Sequence, residues 1–446
     1  MIPDAWRQGE VAVLGIARTG LAAGRWLRAR GLRVYASDAG PGLAGAADTL
    51  RAAGATVETG GHDLARIARA AAVIASPGVP PDAPALRAAR EAGVPVFSEI
   101  DLGARALDRT RLAVVTGTNG KSTTTALMAH LLSEGGIPCP AVGNIGRPLI
   151  ELALEPAPPP WAAVEVSSFQ LHDSPSLEPA VGVLTNLAPD HLDRYPDVES
   201  YYADKRLLFR NATPRSVWVL NGDDAGVLEL AGEAPGTRRL WRTGGPADAW
   251  FDRAAGTLVL DGVPLLPRDR LPLLGDHNVE NALAAALVAR AAGVASERIA
   301  RALASFRGLP HRLELVGTVG GVAWINDSKA TNVASAVMGI RAMDRPFVLL
   351  LGGRHKGQPY TPLIPLMTRM CRGVVAFGES GPLIDADLRA ATRLERVETL
   401  AQAVELARHW AQPGDAVLLS PACSSYDQFT NYEARGAAFR ALASAT

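Results

Sequence analysis

Neither sign of charge is in excess in this chain. Lys+Arg and Asp+Glu each total 45 among 446 residues. A broad nucleic-acid-binding surface is therefore not expected, although a local basic pocket remains open. Cysteine is scarce. Cys139, Cys371 and Cys423 are odd in number and far apart, which argues against a disulfide framework and a cysteine zinc site. No apolar run approaches ~18 residues, and the opening MIPDAWRQGE has no apolar secretory core. The expectation is a soluble cytoplasmic protein with no membrane insertion. Hydrophobic residues at 48% against charged residues at 20% argue against disorder, and the length suggests about three domains at ~150 residues each.

What is present is organised around Leu112–Thr125, LAVVTGTNGKSTTT. Leu112–Val115 is a short, β-branched apolar run and predicts a buried strand. Gly117-Thr118-Asn119-Gly120 predicts a tight loop. Lys121-Ser122-Thr123 opens a segment whose apolar residues fall at helical spacing. Strand, glycine loop, Lys-Ser/Thr and helix form a phosphate-binding arrangement: backbone N–H groups point inward, Lys121 reaches outer phosphates and a hydroxyl ligates Mg²⁺. The first glycine of the usual spacing is replaced by Val115, and Gly117 lies inside the loop.

Before this stretch, Val11–Leu14, the turn Gly15-Ile16-Ala17-Arg18-Thr19-Gly20 and Val34–Ala36 ending at Asp38 open a Rossmann-like βαβ unit. Ala17 stands at the middle glycine of the dinucleotide fingerprint. A nicotinamide dinucleotide, a nucleoside diphosphate with Asp38 near its ribose or base, and a unit that binds nothing all remain open. Val73–Ala75 predicts a strand with the loop Ser76-Pro77-Gly78 at its carboxyl end, where open α/β sheets hold ligands.

After it, Asn144 lies in a glycine turn, and Glu165 sits in the apolar run Trp161–Val166. A carboxylate there needs a cation, either Mg²⁺ or an arginine. Val181–Leu187 leads into Asp190-His191-Leu192-Asp193, a polar cluster with the look of site chemistry. Lys205 lies on the next helix and, taken alone, reads as a solvated surface lysine. Leu240–Leu271 predicts hairpins. Asn278 and Asn281, one helical turn apart, can face one ligand. From about Leu309 a second open parallel sheet is expected, with polar loops 326–332, 352–356 and 420–429 at strand carboxyl ends. Cys423 reads as a small buried residue rather than a nucleophile.

Six ordered motifs then carry a family resemblance: TGTNGKST at the phosphate loop, EVSSFQL at Glu165–Leu171, DHLDRYP at Asp190–Pro196, GLPHR at Gly308–Arg312, NDSKATN at Asn326–Asn332 and SPACSSYDQF at Ser420–Phe429. Together they resemble the Mur ligases. NDSKATN and SPACSSYDQF look like the member that adds D-glutamate to UDP-N-acetylmuramoyl-L-alanine. The resemblance implies an α/β protein of three domains. These are a Rossmann-like UDP-substrate domain at 1–107, a central P-loop ATPase-type domain at 108–308 and a C-terminal Rossmann-like amino-acid domain at 309–446.

The resemblance also implies an ATP-dependent ligase that works through an acyl phosphate and a tetrahedral intermediate. By position, Gly117, Thr118, Asn119, Gly120, Lys121, Ser122, Thr123, Asn278, Asn281, Arg312 and Asp327 would bind ATP. Thr19, Asp38, Gly78 and Asn144 would meet the UDP substrate. Lys329, Thr331, Lys356, Ser425 and Tyr432 would hold the amino acid. Lys121, Glu165, His191 and Lys205 would be catalytic. Ser122, Glu165, His191 and Lys205, the last as a CO₂-derived carbamate, would ligate two Mg²⁺ ions. The implied partners are small molecules only, and a monomer is expected.

Departures from the family pattern are Ala17, Gly40 where an arginine often stands, Tyr432 where phenylalanine often stands, and a His191–Lys205 spacing one residue short. The rival readings are another Mur ligase, an L-glutamate-adding variant, a folylpolyglutamate synthase, a P-loop switch or motor ATPase, and a nicotinamide dehydrogenase. No basic stripe or NKxD motif supports a switch, and the broken glycine fingerprint counts against a dehydrogenase.

Overall fold

Short β-branched runs alternating with Ala/Leu-rich helices build three sheets. The computed structural model describes residues 2–40, 44–190, 194–367 and 370–444, and counts and absences below hold among these. The chain divides into one unit of residues 1–271 with 280–305 and another of 272–279 with 306–446.

The first unit holds two sheets. The N-terminal one comprises β1 (Glu10–Leu14), β2 (Arg33–Asp38), β3 (Thr56–Thr59), β4 (Ala72–Ala75) and β5 (Val96–Ser98) in the order β3-β2-β1-β4-β5, all parallel. Helix Arg18–Ala29 buries Ala22, Ala23, Trp26 and Leu27 in its core.

The second sheet comprises β6 (Arg111–Thr116), β7 (Ala141–Gly143), β8 (Trp161–Glu165), β9 (Val181–Leu184), β10 (Val217–Asn221), β11 (Thr237–Arg242), β12 (Ala249–Asp252), β13 (Thr257–Leu260) and β14 (Val263–Pro267). Its order is β14-β13-β12-β11-β10-β9-β6-β8-β7. β6 lies inside the sheet and is buried on both faces, which explains its unbroken apolar run. Helix Lys121–Glu134 packs on β6 and β8.

The two sheets of this unit are tied at Glu99, whose buried carboxyl accepts from Ile150 N at 2.6 Å. Burial raises its pKa to about 7. Ser98 and Ser174 share a 2.6 Å hydroxyl bond nearby.

The other unit carries β15 (Glu314–Val319), β16 (Val322–Asn326), β17 (Phe347–Gly352), β18 (Cys371–Phe377), β19 (Leu394–Val397) and β20 (Ala416–Leu419). The order is β15-β16-β20-β17-β18-β19, parallel except for β15 against β16.

Three expectations change. The segment expected as hairpins is antiparallel only from β12 to β14, because β11 pairs parallel with β10 and β12. The strand expected to run to Leu187 stops at Leu184, because Thr185 turns its hydroxyl onto Asn119 O at 2.7 Å. Five strands without an apolar run, β3, β5, β7, β15 and β19, complete the sheets, each at an edge.

Candidate active site

The phosphate loop lies at the carboxyl end of β6, with β9 and β8 on either side. Gly117 has φ +140°, and a Cβ there would lie 1.9 Å from Thr185 Oγ1, so only glycine fits. Gly120, at φ +83°, is the N-cap of helix Lys121–Glu134. The loop is braced from the segment after β9. Asn119 N donates to Asn186 Oδ1 at 2.8 Å, and Thr118 N donates to Asn186 O at 2.9 Å. Asn281 Oδ1 accepts from Thr124 Oγ1 at 3.0 Å and sits directly over Gly120. Thr123 is buried in the first helical turn, and Ser122 is half-buried beside it.

Two lysines converge on one carbonyl. Lys121 Nζ donates to Gly117 O at 3.0 Å and Thr118 O at 2.8 Å. Lys205 Nζ donates to the same Gly117 O at 2.7 Å and lies over the Tyr201 ring. Lys205 is only 1% exposed, so the expectation of a surface lysine is wrong: helix Val198–Arg206 turns it inward under the phosphate loop. Burial lowers its pKa well below the usual lysine value, and the charge on Lys121 adds to this. The neighbouring Asp204 accepts from Tyr195 Oη and is hydrogen-bonded to His172 Nδ1, each at 2.8 Å. His191 lies outside the described residues.

Glu165 ends β8 directly opposite Val115. Its Oε1 accepts from Asn144 Nδ2 at 2.9 Å, while its buried Oε2 has no hydrogen-bond partner. No arginine pairs with it. Thr116 Oγ1 is a second buried oxygen without a partner. No cluster of three or more His, Cys, Asp or Glu side chains forms a metal cage among the described residues. An orphan carboxylate oxygen and the Ser122 hydroxyl flanking a phosphate loop fit Mg²⁺, which takes few protein oxygens and completes its shell with phosphate and water.

On the N-terminal side, Asp38 Oδ2 accepts from Ile16 N in the glycine turn and Oδ1 from Gly40 N just beyond β2, each at 2.8 Å. Thr19 lies in the first turn of helix Arg18–Ala29, and Gly78 is exposed. A cavity of about 350 Å³ opens beside that loop, between Ser76, Pro77 and Val79 on one wall and Phe169, Gln170 and Tyr195 on the other. Asn144 faces Glu165.

In the other unit, Asp327 is buried. Its Oδ2 accepts from Ser420 Oγ at 2.9 Å and its Oδ1 from Leu313 N at 3.3 Å. Burial raises its pKa to about 7, against the opposing pull of Ser420 and the Arg312 charge. Arg312 Nε is buried without a hydrogen-bond partner. Lys329 lies over the Tyr432 ring at 5.6 Å, and Thr331 follows in the same loop. Ser425 is buried, and Lys356 is exposed, two residues beyond the Arg354–Ser424 backbone bridge. Asn278 Nδ2 donates to Leu274 O at 2.8 Å. Asn278 and Asn281 of helix Asp276–Ala291 are thus anchored at Leu274 and Thr124.

Three family models match successive stretches. They are the Mur ligase MurD-like N-terminal domain at 9–98, the Mur ligase middle domain at 115–289 and the Mur ligase glutamate ligase domain at 311–423. The UDP-N-acetylmuramoylalanine--D-glutamate ligase of Anaeromyxobacter dehalogenans is 43% identical over 97% of this chain and 97% of its own. The chain belongs to the Mur ligase family. The enzyme of the same name from Salinibacter ruber is 42% identical over 99% of both chains. The crystal structure of UDP-N-acetylmuramate-alanine ligase MurC from Thermotoga maritima shares the fold at TM-score 0.62 and 20% identity, covering 98% of this chain and 100% of that one.

Sequence reasoning missed two residues of this Mur ligase. Tyr201, whose hydroxyl lies 3.3 Å from Thr118 Oγ1, floors the Lys205 pocket. Arg435, in the helix Tyr432–Ser444, is fully buried and donates to the loops after β16 and β20 and to the end of β17 at once. Neither lies in a recognisable motif. Cys423 is buried as expected. Its thiol contacts Tyr360 Oη at 2.9 Å, and burial pushes its pKa up.

Proposed function

We propose that this chain is an ATP-dependent ligase that joins D-glutamate to UDP-N-acetylmuramoyl-L-alanine and releases ADP and phosphate. The observation that carries this reading is the match along nearly the whole chain, at about 40% identity, to relatives bearing that activity in their names.

A carboxylate is a poor electrophile, so the alanyl carboxylate attacks the γ-phosphorus of ATP first, forming an acyl phosphate and ADP. The glutamate amine then adds to the carbonyl. The tetrahedral intermediate collapses with loss of phosphate and a proton. The loop 117–123 grips the nucleotide, with Lys121 leaving its own loop carbonyls for the phosphates. Ser122 and Glu165 would hold one Mg²⁺ and His191 with Lys205 a second, and these ions would neutralise charge on the phosphates. Lys205, whose burial favours the uncharged amine, would add CO₂ at Nζ and lose a proton, giving a carbamate whose oxygens would suit the second ion. Thr19, Asp38, Gly78 and Asn144 serve the acceptor in residues 1–107. Asn278, Asn281, Arg312 and Asp327 complete the ATP site with residues 108–308. Lys329, Thr331, Lys356, Ser425 and Tyr432 hold glutamate in residues 309–446.

Phosphate release against a panel of UDP-muramoyl acceptors and amino acids tests this. Release is expected only with UDP-N-acetylmuramoyl-L-alanine and D-glutamate together. Fast ATP hydrolysis with neither present would overturn the ligase reading in favour of a switch or motor. Preference for L-glutamate would overturn the chirality alone.

A further inference from the structure

Arg435 is 0% exposed, and among the described residues no carboxylate lies within ion-pair distance of it. Its fork is instead filled by neutral acceptors. Nε donates to Ser328 Oγ at 3.0 Å. Nη2 donates to Ser328 O at 2.9 Å and Cys423 O at 3.1 Å. Nη1 donates to Cys423 O, Ser424 O and Gly352 O at 3.1, 3.2 and 3.3 Å. Ser328 lies in the loop after β16, Cys423 and Ser424 in the loop after β20, and Gly352 ends β17, and these three strands are neighbours in the sheet. Ser328 Oγ in turn donates to Tyr432 O at 2.8 Å, closing the network onto Arg435's own helix. Burial lowers the guanidinium pKa only to about 10, so the charge persists at neutral pH.

A buried cation is costly without a close counter-charge, and Arg435, whose fork holds carbonyls and one hydroxyl, has only the more distant Asp427 carboxylate acting on it. The residues assigned above to the amino acid all lie close in sequence to this network. Lys329 and Thr331 follow Ser328, Lys356 follows Gly352, Ser425 follows Ser424, and Tyr432 starts the helix that carries Arg435.

We propose that Arg435 is the positioning residue of the amino-acid site. It fixes the carboxyl ends of three neighbouring strands in register through one planar fork and lends its positive charge to selection of a dicarboxylic amino acid. The proposal rests on the glutamate reading above.

The test compares full-length wild type with Arg435→Gln, Arg435→Lys and Ser328→Ala. It measures KM for D-glutamate, KM for ATP and kcat from phosphate release, with thermal melts alongside. Arg435→Gln, which loses charge and fork, is expected to raise the glutamate KM at least thirtyfold with the ATP KM within twofold of wild type. Arg435→Lys, which keeps charge but loses the fork, raises it about tenfold. Ser328→Ala, which removes one acceptor, raises it about threefold. A merely structural role would lower the melting temperature and the active fraction while leaving the glutamate KM unchanged, and that result overturns the proposal. If Arg435→Gln fails to fold, the other two variants decide by the same criterion. A wild type that never saturates with glutamate defeats the glutamate reading itself, and a saturating wild type with unchanged variants defeats only Arg435.

Discussion

In the central domain the glycine loop we assign to the nucleotide phosphates is one contiguous stretch, 117–123. Backbone N–H groups, a helix N-terminus and Lys121 come from neighbouring positions in the chain, and the braces from Asn186 and Asn281 only hold them still. In the C-terminal domain the polar segments at the carboxyl ends of β16, β17 and β20 come from stretches far apart in sequence. They are held together by the guanidinium of Arg435, on a fourth. The difference is one of chemistry. A triphosphate is met by a nest of amides that a short glycine loop can form alone. A small dicarboxylic amino acid needs separate side chains at separate points, and these must be set relative to one another by something rigid.

The largest effect that could break this comparison falls on the phosphate side, at Lys205, a contributor distant in sequence from the loop. Lys205→Ala is expected to lower kcat on the order of 10³-fold, the size associated with losing a preorganised charge stabiliser. Acetate or another short carboxylic acid should restore part of the rate by entering the space that the lysine carbamate fills. Absence of rescue at any concentration, measured by phosphate release, would count against the carbamate.

A smaller effect separates a buried carboxyl that serves the fold from one that serves the site. Glu99 and Asp327 both have pKa values of about 7 through burial. For Glu99 the folded value lies above the ordinary 4.5. Between those two values the folded state holds the extra proton, so stability falls as pH rises through that window, and the full loss is in place above about 7. Glu99→Gln keeps an acceptor for Ile150 N and removes the ionisation. It should match wild type near pH 4.5 and exceed it at pH 8 by up to about 3 kcal/mol in urea unfolding. Turnover should be unchanged, because Glu99 lies away from the phosphate loop. Equal stability of the two proteins at pH 8 would contradict the burial argument.

What was legible in the sequence follows the same division. β1, β2, β4, β6 and β8 announced themselves as apolar runs, since strands covered on both faces are apolar throughout. β3, β5, β7, β15 and β19 did not. Each is an edge with one partner and partial exposure, so no run is required of it. The phosphate loop was readable because its function is local. The inward turn of Lys205 was not, since its helix is polar overall and only its packing under Gly117 decides which face is buried. Arg435 was invisible for a related reason: an arginine in a terminal helix looks solvated until the ends of three strands close over it. Glu165 was read as needing a cation, and its orphan Oε2 leaves room for one.

The central claim is that the nucleotide bound at 117–123 activates the acceptor acid rather than driving a movement. The most direct measurement labels the alanyl carboxylate of UDP-N-acetylmuramoyl-L-alanine with ¹⁸O and follows one turnover with ATP and D-glutamate. The account predicts one ¹⁸O atom in each phosphate released, because the acyl-phosphate bridge oxygen departs with phosphorus. Released phosphate free of ¹⁸O would contradict it.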